Sequence, residues 1–380
     1  MDFDLSGEQR MLKDSVDRWM AENYSFDQRR GYLKCPGGWS RDVWNQYAGL
    51  GLLGIPFAEA DGGLGGGPVE TMLVMEAFGR GLTLEPYLAT VVLAGGLLRL
   101  AGSPGHRQML VPKIADGSVT LGFAHAERHS RYDIADVSTI ARHEGKDWIL
   151  DGEKVLALHG ESAEKLIVSA RTSGSRCDTD GITLFLIAGA APGIERRGYA
   201  TQDGLRAANI RLDGVRVSRE DVIGDPGKAF PVIARVIDEA IAAVCAEAVG
   251  AMTALHALTV EYLKNRRQFG VPIGSFQVLQ HRAVDMLITL ELAKSMAILA
   301  TMTVAEDDPE RRSLQIAAAK AQIGSSSRLI GQEATQLHGG MGLSMEHNAG
   351  HYFKRLTMID ALFVNTAHHL QRLARAGGII

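Results

Sequence analysis

The chain has 380 residues, 46% of them hydrophobic, and a formal net charge of -4 at pH 7. That is apolar material for two or three sizeable cores, and with no Lys/Arg-rich tract it does not suit a surface that coats a polyanion, so no nucleic-acid partner is expected. Cys35, Cys177 and Cys245 are widely spaced and make no CxxC, which sets aside a disulfide framework or a zinc site and fits a reducing cytoplasm.

In chain order, residues 1–116 read as a helical domain. Ser6-Gly7-Glu8-Gln9 has capping-box spacing, and Met11, Leu12, Val16 and Trp19 follow at helical period. The acidic opening Met1-Asp2-Phe3-Asp4-Leu5 is neither a secretory signal nor a transit peptide. Apolar runs such as the one from Leu88 to Leu98 are short and interrupted by glycine, so no membrane segment is expected. The cluster Asp61-Gly62-Gly63-Leu64-Gly65-Gly66-Gly67-Pro68 follows no strand and misses G-x-G-x-x-G spacing, which makes it a flexible turn between helices.

Residues 117–226 change to short β-branched and apolar runs: 120–124, 148–150, 166–170, 182–187 and 210–212. Their regular spacing predicts a middle antiparallel β-barrel or sandwich, with Asp151-Gly152 and Asp213-Gly214 as hairpin turns. From 227 to 380 helical period returns: one stretch from Phe230 to Arg267, then about 276–305, 312–337 and 357–375, a C-terminal four-helix bundle. The predicted fold is mostly α with a central β domain.

Two segments carry chemistry. The first is Asn265-Arg266-Arg267-Gln268-Phe269-Gly270-Val271-Pro272-Ile273-Gly274-Ser275-Phe276-Gln277; the second is Gln336-Leu337-His338-Gly339-Gly340-Met341-Gly342, followed by Phe353-Lys354-Arg355-Leu356. Each follows a long apolar-periodic stretch, where a helix stops and backbone amides and cations can meet a phosphate. Taken alone, the arginines could simply complement a helix dipole, and the glycines could simply cap a helix. His338, His347, His351, His368 and His369 lack a metal-ligand pattern such as HExxH and read as structural or surface histidines, with no metal expected.

Together the two segments resemble the acyl-CoA dehydrogenase family, and the resemblance runs over essentially the whole chain. It implies FAD as cofactor and removal of hydrogens from Cα and Cβ of an acyl-CoA thioester. By the same resemblance Arg266, Phe269, Gln277, Gln336, Gly339 and Gly340 contact FAD, much of it held by a neighbouring subunit. An electron-transfer flavoprotein is the implied acceptor.

The middle domain departs from the family pattern. Where the family carries Thr-Glu-Pro-x-x-Gly-Ser-Asp, this chain has Ala126-Glu127-Arg128-His129-Ser130-Arg131-Tyr132-Asp133. In the run from Asp151 to Leu158, the family's Trp and Thr over the flavin ring become Leu156 and Leu158. Registering the C-terminal segment on Leu370-Gln371-Arg372 puts Asn365 at the usual glutamate base. The alternative base position, counted back from Gly250, is Ala240, with Glu239 one residue and about 100° around the helix away. Ser130-Arg131-Tyr132-Asp133, the run from Gly204 to Asn209 and the run from His351 to Asp360 look closest to the pimeloyl-CoA dehydrogenase small-subunit type. Two readings follow. The chain is a dehydrogenase with an unusual base, working as a homo-oligomer or as part of a heterotetramer with a larger homologue; alternatively, it is a base-deficient subunit that completes its partner's FAD site.

Overall fold

The computed structural model describes residues 4–378, so Met1, Asp2 and Phe3 of the opening run lie outside the described residues. Helices α1 (Gly7–Asn23), α2 (Phe26–Tyr32), α3 (Arg41–Gly49) and α4 (Pro68–Gly81) come first. A π-helical stretch, Leu88–Ala94, then runs into α5 (Gly95–Ala101) and α6 (Pro104–Ala115). Eight strands follow: β1 (Leu121–Ala124), β2 (Ile140–Glu144), β3 (Asp147–Leu158), β4 (Lys165–Arg171), β5 (Ile182–Ala188), β6 (Ile194–Ala200), β7 (Arg206–Val217) and β8 (Val222–Ile223). Helix α7 (Phe230–Asn265) leads to a small hairpin of β9 (Arg267–Gln268) and β10 (Val271–Pro272), then α8 (Gln277–Thr303), α9 (Pro309–His338), α10 (Asn348–Ala361) and α11 (Thr366–Ala376).

The chain forms two compact units. One comprises Met1–Gly31, Pro68–Thr83 and Ile241–Ile380, and the other Tyr32–Gly67 and Leu84–Ala240. The first is all helix apart from the small hairpin. Its α1 begins on the predicted capping box, with Ser6 accepting from the Gln9 amide and the Gln9 side chain accepting from the Ser6 amide. Helix α7 runs unbroken through Gly250 because that glycine is a crossing point. A Cβ there would lie 1.9 Å from the Glu76 carbonyl on α4, and a Cβ on Gly79 would lie 1.9 Å from the Glu247 carbonyl on α7. The absent side chains let the two backbones touch. Beside the crossing, Arg355 on α10 makes a buried two-pronged pair with Glu247, at 2.6 and 2.7 Å.

The second unit holds the sheet, in the order β6-β7-β3-β2-β4-β5-β8, with β1 also on β4. Pairing is mostly antiparallel, but β1 and β2 both run parallel to β4, so the sheet is mixed and does not close into a barrel. Its core is alternating inward residues, among them Leu150, Val168, Phe185, Ile210 and Val215, nearly all fully buried.

Neither Asp-Gly pair turns a hairpin. Both lie inside twelve-residue strands, at a β-bulge where Asp213 and Gly214 of β7 oppose the single residue Asp151 of β3 and the Gly214 amide donates to Asp151 Oδ1 at 2.8 Å. Glycine there serves a bulge rather than a turn. The cluster at 61–68 is a packed turn: the Leu64, Gly65 and Gly66 amides donate to the Gly54, Phe57 and Ile55 carbonyls.

The stretch expected at 357–375 is two helices, broken where Phe363 and Val364 take left-handed φ of 51° and 80°. Helix α7 is long and apolar enough to cross a membrane, yet 72% of its most apolar window is buried inside the protein, as in a core helix.

Candidate functional site

In the helical unit the two phosphate-type segments lie together. Tyr262, in the last turn of α7, stacks on His338 at the end of α9 with ring centroids 4.6 Å apart, and His338 lies 4.9 Å from His347, the N-cap of α10. Beyond Tyr262 the chain turns through β9 and β10 on a two-residue loop, Phe269-Gly270, whose φ values of 55° and 83° are both left-handed. Such a turn suits the twist of a hairpin but strains a phenylalanine. The result is a ring 91% exposed at the tip, braced edge-on by Phe276 at 6.2 Å. The Arg266 side chain is exposed and pairs with no carboxylate among the described residues.

Gln277 opens α8, and Gln336 ends the exposed side of α9. Gly339 caps α9 at φ 59°, and a Cβ on Gly339 or Gly340 would meet nothing within 4 Å. These glycines are not required by crowding within the chain. They leave a bare backbone edge at the end of α9, which the Tyr262–His338 stack ties to the end of α7 with its exposed guanidinium and aromatic ring, a donor set that fits a phosphate-bearing dinucleotide.

In the sheet unit the two middle-domain runs are also neighbours: the Val155 amide donates to the Ala126 carbonyl at 2.8 Å. Beneath them Lys154, with no exposed surface, donates to Glu127 at 2.7 Å, Ser169 at 3.1 Å and the His125 carbonyl at 3.2 Å. Glu127 also accepts from the amides and hydroxyls of Ser138 and Thr139. Burial alone would raise the Glu127 carboxyl, but the Lys154 charge and these donors hold it below the usual range. Burial lowers Lys154 to about 8 despite its partner. His125 is pushed down to about 3 by burial and by Lys154. Glu127 is thus a structural anchor with its lone pairs spent.

Above the anchor, Leu156 takes φ 53° in a second bulge, this one on β3, and is 41% exposed, while Leu158 is half-buried. Both can pack against a ring; neither can hydrogen-bond one.

The two candidate base positions belong to different units, and neither offers a free carboxylate. Asn365 is the N-cap of α11 and accepts from the His368 amide at 3.1 Å. Glu239, which as a helix acid could equally have been solvated, pairs with Arg99 at 2.5 Å and Arg235 at 3.5 Å. Ala240 is fully buried. No group of three or more potential metal ligands occurs among the described residues, and the histidines of the C-terminal helices serve caps and stacks. His351 and His369 are buried rather than exposed, His369 meeting the Phe363 carbonyl at 3.2 Å. Lys320, buried against the loop before Asn365, carried no sequence signal, because a lysine in an otherwise amphipathic helix reads as solvated.

Three family models match the chain: the acyl-CoA dehydrogenase N-terminal domain over residues 6–118, the middle domain over 122–215 and the C-terminal domain over 227–375. The probable acyl-CoA dehydrogenase YngJ of Bacillus subtilis (strain 168) is 28% identical over 352 residues, 91% of this chain and 92% of its own length. Among solved structures, a variant of the Tcur3481-Tcur3483 steroid ACAD is 27% identical with a TM-score of 0.87, covering 98% of both chains. The ChsE4-ChsE5 complex from Mycobacterium tuberculosis shares the fold at 24% identity, with a TM-score of 0.88 and 100% of both chains covered. With its two dinucleotide-type segments side by side and all three domain models in order, the chain belongs to the acyl-CoA dehydrogenase family of flavoprotein oxidoreductases, whose cofactor is FAD.

Proposed function

We propose that this chain is the smaller, base-poor subunit of a heteromeric acyl-CoA dehydrogenase of the pimeloyl-CoA small-subunit type, serving β-oxidation. In this reading it binds an acyl-CoA thioester and uses Arg266, Phe269, Gln277, Gln336, Gly339 and Gly340 to complete an FAD site with a larger homologous partner. An electron-transfer flavoprotein is the proposed acceptor. Dehydrogenation would need a carboxylate to take the Cα proton, with FAD, when held by these residues, supplying the acceptor for the hydride from Cβ. The observation that carries the reading is that neither base position holds a carboxylate: Asn365 caps its helix, Ala240 is a buried alanine, and its neighbour Glu239 sits between two arginines. A carboxylate held by two guanidinium groups must give up those contacts before it can reach a thioester Cα. The paired designation of the 27%-identical Tcur3481-Tcur3483 neighbour supports a two-chain assembly.

The test is turnover of a panel of CoA thioesters with an artificial electron acceptor, by the chain alone and co-purified with a larger homologue. Positioned proton transfer is worth on the order of 10²–10⁴ in rate, so the chain alone should be silent and the pair active. Turnover by the chain alone at roughly 1 s⁻¹ or more, abolished by Glu239→Gln, establishes instead a self-sufficient enzyme with Glu239 as base.

A further inference from the structure

Lys320 lies on α9 with no exposed surface, and its amine contacts backbone rather than a carboxylate. It donates to the carbonyls of Ile359 at 2.8 Å, Asp360 at 2.9 Å and Val364 at 3.3 Å. The first two lie in the last turn of α10, where carbonyls have no helical donor and the dipole favours a cation. The third belongs to the loop before α11, in which Phe363 and Val364 are both left-handed. A β-branched residue rarely adopts that conformation, and it persists only where surrounding contacts over-determine it.

Those contacts are present. His369 Nε2 meets the Phe363 carbonyl at 3.2 Å, while the Thr366 amide and hydroxyl donate to Asp360 Oδ1 at 3.1 and 2.6 Å. Helix α9 is pared to make room: a Cβ on Gly324 would lie 2.1 Å from Thr366 Oγ1. A buried cation and a buried histidine hold the four-residue loop, and a glycine makes room for the residues that flank it.

We propose that Lys320 is a positioning residue whose buried ammonium clamps the loop 362–365 in its left-handed form, presenting it to an acyl-CoA thioester in a single geometry. This rests on the reading that the loop stands at the family's base position. The clamp and its purpose are separable, because Val364→Gly removes the strain without touching Lys320.

The experiment uses the chain assembled with the larger homologue and loaded with FAD, and the variants Lys320→Met, Lys320→Arg and Val364→Gly of this chain. Amide exchange is followed over peptides covering 359–367 and the middle of α9, with affinity for octanoyl-CoA and adipoyl-CoA read by calorimetry. Lys320→Met should speed exchange at 362–366 by tenfold or more with α9 unchanged, and Lys320→Arg should restore part of the protection. Val364→Gly should loosen the same residues at unchanged or higher Tm, and should weaken thioester binding tenfold or more. Unchanged exchange in Lys320→Met overturns the clamp; if that variant does not fold, unchanged exchange in Val364→Gly does so. A loosened Val364→Gly that binds both thioesters like the unmodified assembly overturns the positioning role, since a purely structural contact would follow Tm. If the unmodified assembly binds neither thioester, the reading under Proposed function fails, while the exchange data still decide the clamp.

Discussion

Lys154 and Glu127 form an ion pair out of water, and such pairs are costly to break from one side. Lys154→Met leaves a buried carboxylate without its cation and should lose about 3–5 kcal/mol of unfolding free energy in urea titration. The double change Lys154→Met with Glu127→Gln should recover a large part of it, because the uncompensated charge rather than the missing contact dominates. Buried histidines set a second expectation. Burial, then Lys320, lowers His369 from the ordinary 6.5 to about 4. As pH falls below 6.5 the unfolded chain gains protons that the folded chain refuses, so this contribution to stability is full above 6.5 and declines from there to about 4. His369→Gln should flatten that decline by up to about 1.4 kcal/mol per pH unit; an unchanged slope in denaturation measured from about pH 7 to 4.5 counts against a neutral buried imidazole.

At the scale of elements, the crossing of α4 and α7 is made by two glycines. Alanine is the better helix former by about 1 kcal/mol, so propensity alone predicts that Gly79→Ala or Gly250→Ala stabilises. Steric contact decides otherwise, because each new methyl would lie 1.9 Å from a carbonyl oxygen of the opposite helix. Both substitutions should therefore be net destabilising by about 1–3 kcal/mol or more, read as a lower Tm. The Asp-Gly pair of β3 and its mate in β7 make a related point. A two-residue turn signal inside a long strand became a bulge once the opposing strand supplied a partner for the backbone.

At the scale of the molecule, α8 carries a stripe of exposed apolar residues at helical spacing, Val284, Leu287, Ile288 and Leu292, each more than 40% exposed. With Phe269 displayed at the hairpin tip, this is the surface that the proposed assembly would cover. The double substitution Leu287→Glu and Ile288→Lys should reduce the assembly size by light scattering while leaving the circular-dichroism spectrum intact. Arg266→Ala should lower FAD occupancy of the assembled protein at unchanged Tm. Full occupancy would return Arg266 to the role of a helix-end cation.

Local signals determined the parts of this protein that depend on near neighbours in sequence. The Ser6 capping box, the extent of α7 and the change to strands after residue 120 were legible, because period and cap chemistry act over a few residues. The bulges at the Asp-Gly pairs, the break at Phe363–Val364 and the burial of Lys320 and His369 were not. Each depends on a partner far along the chain: β7 for β3, and α9 for the loop between α10 and α11. The base positions divide the same way. Sequence placed an asparagine and a glutamate at or beside the expected sites; the Asn365 cap is a local contact with His368, while only the tertiary structure engaged Glu239 with Arg99, a partner 140 residues distant.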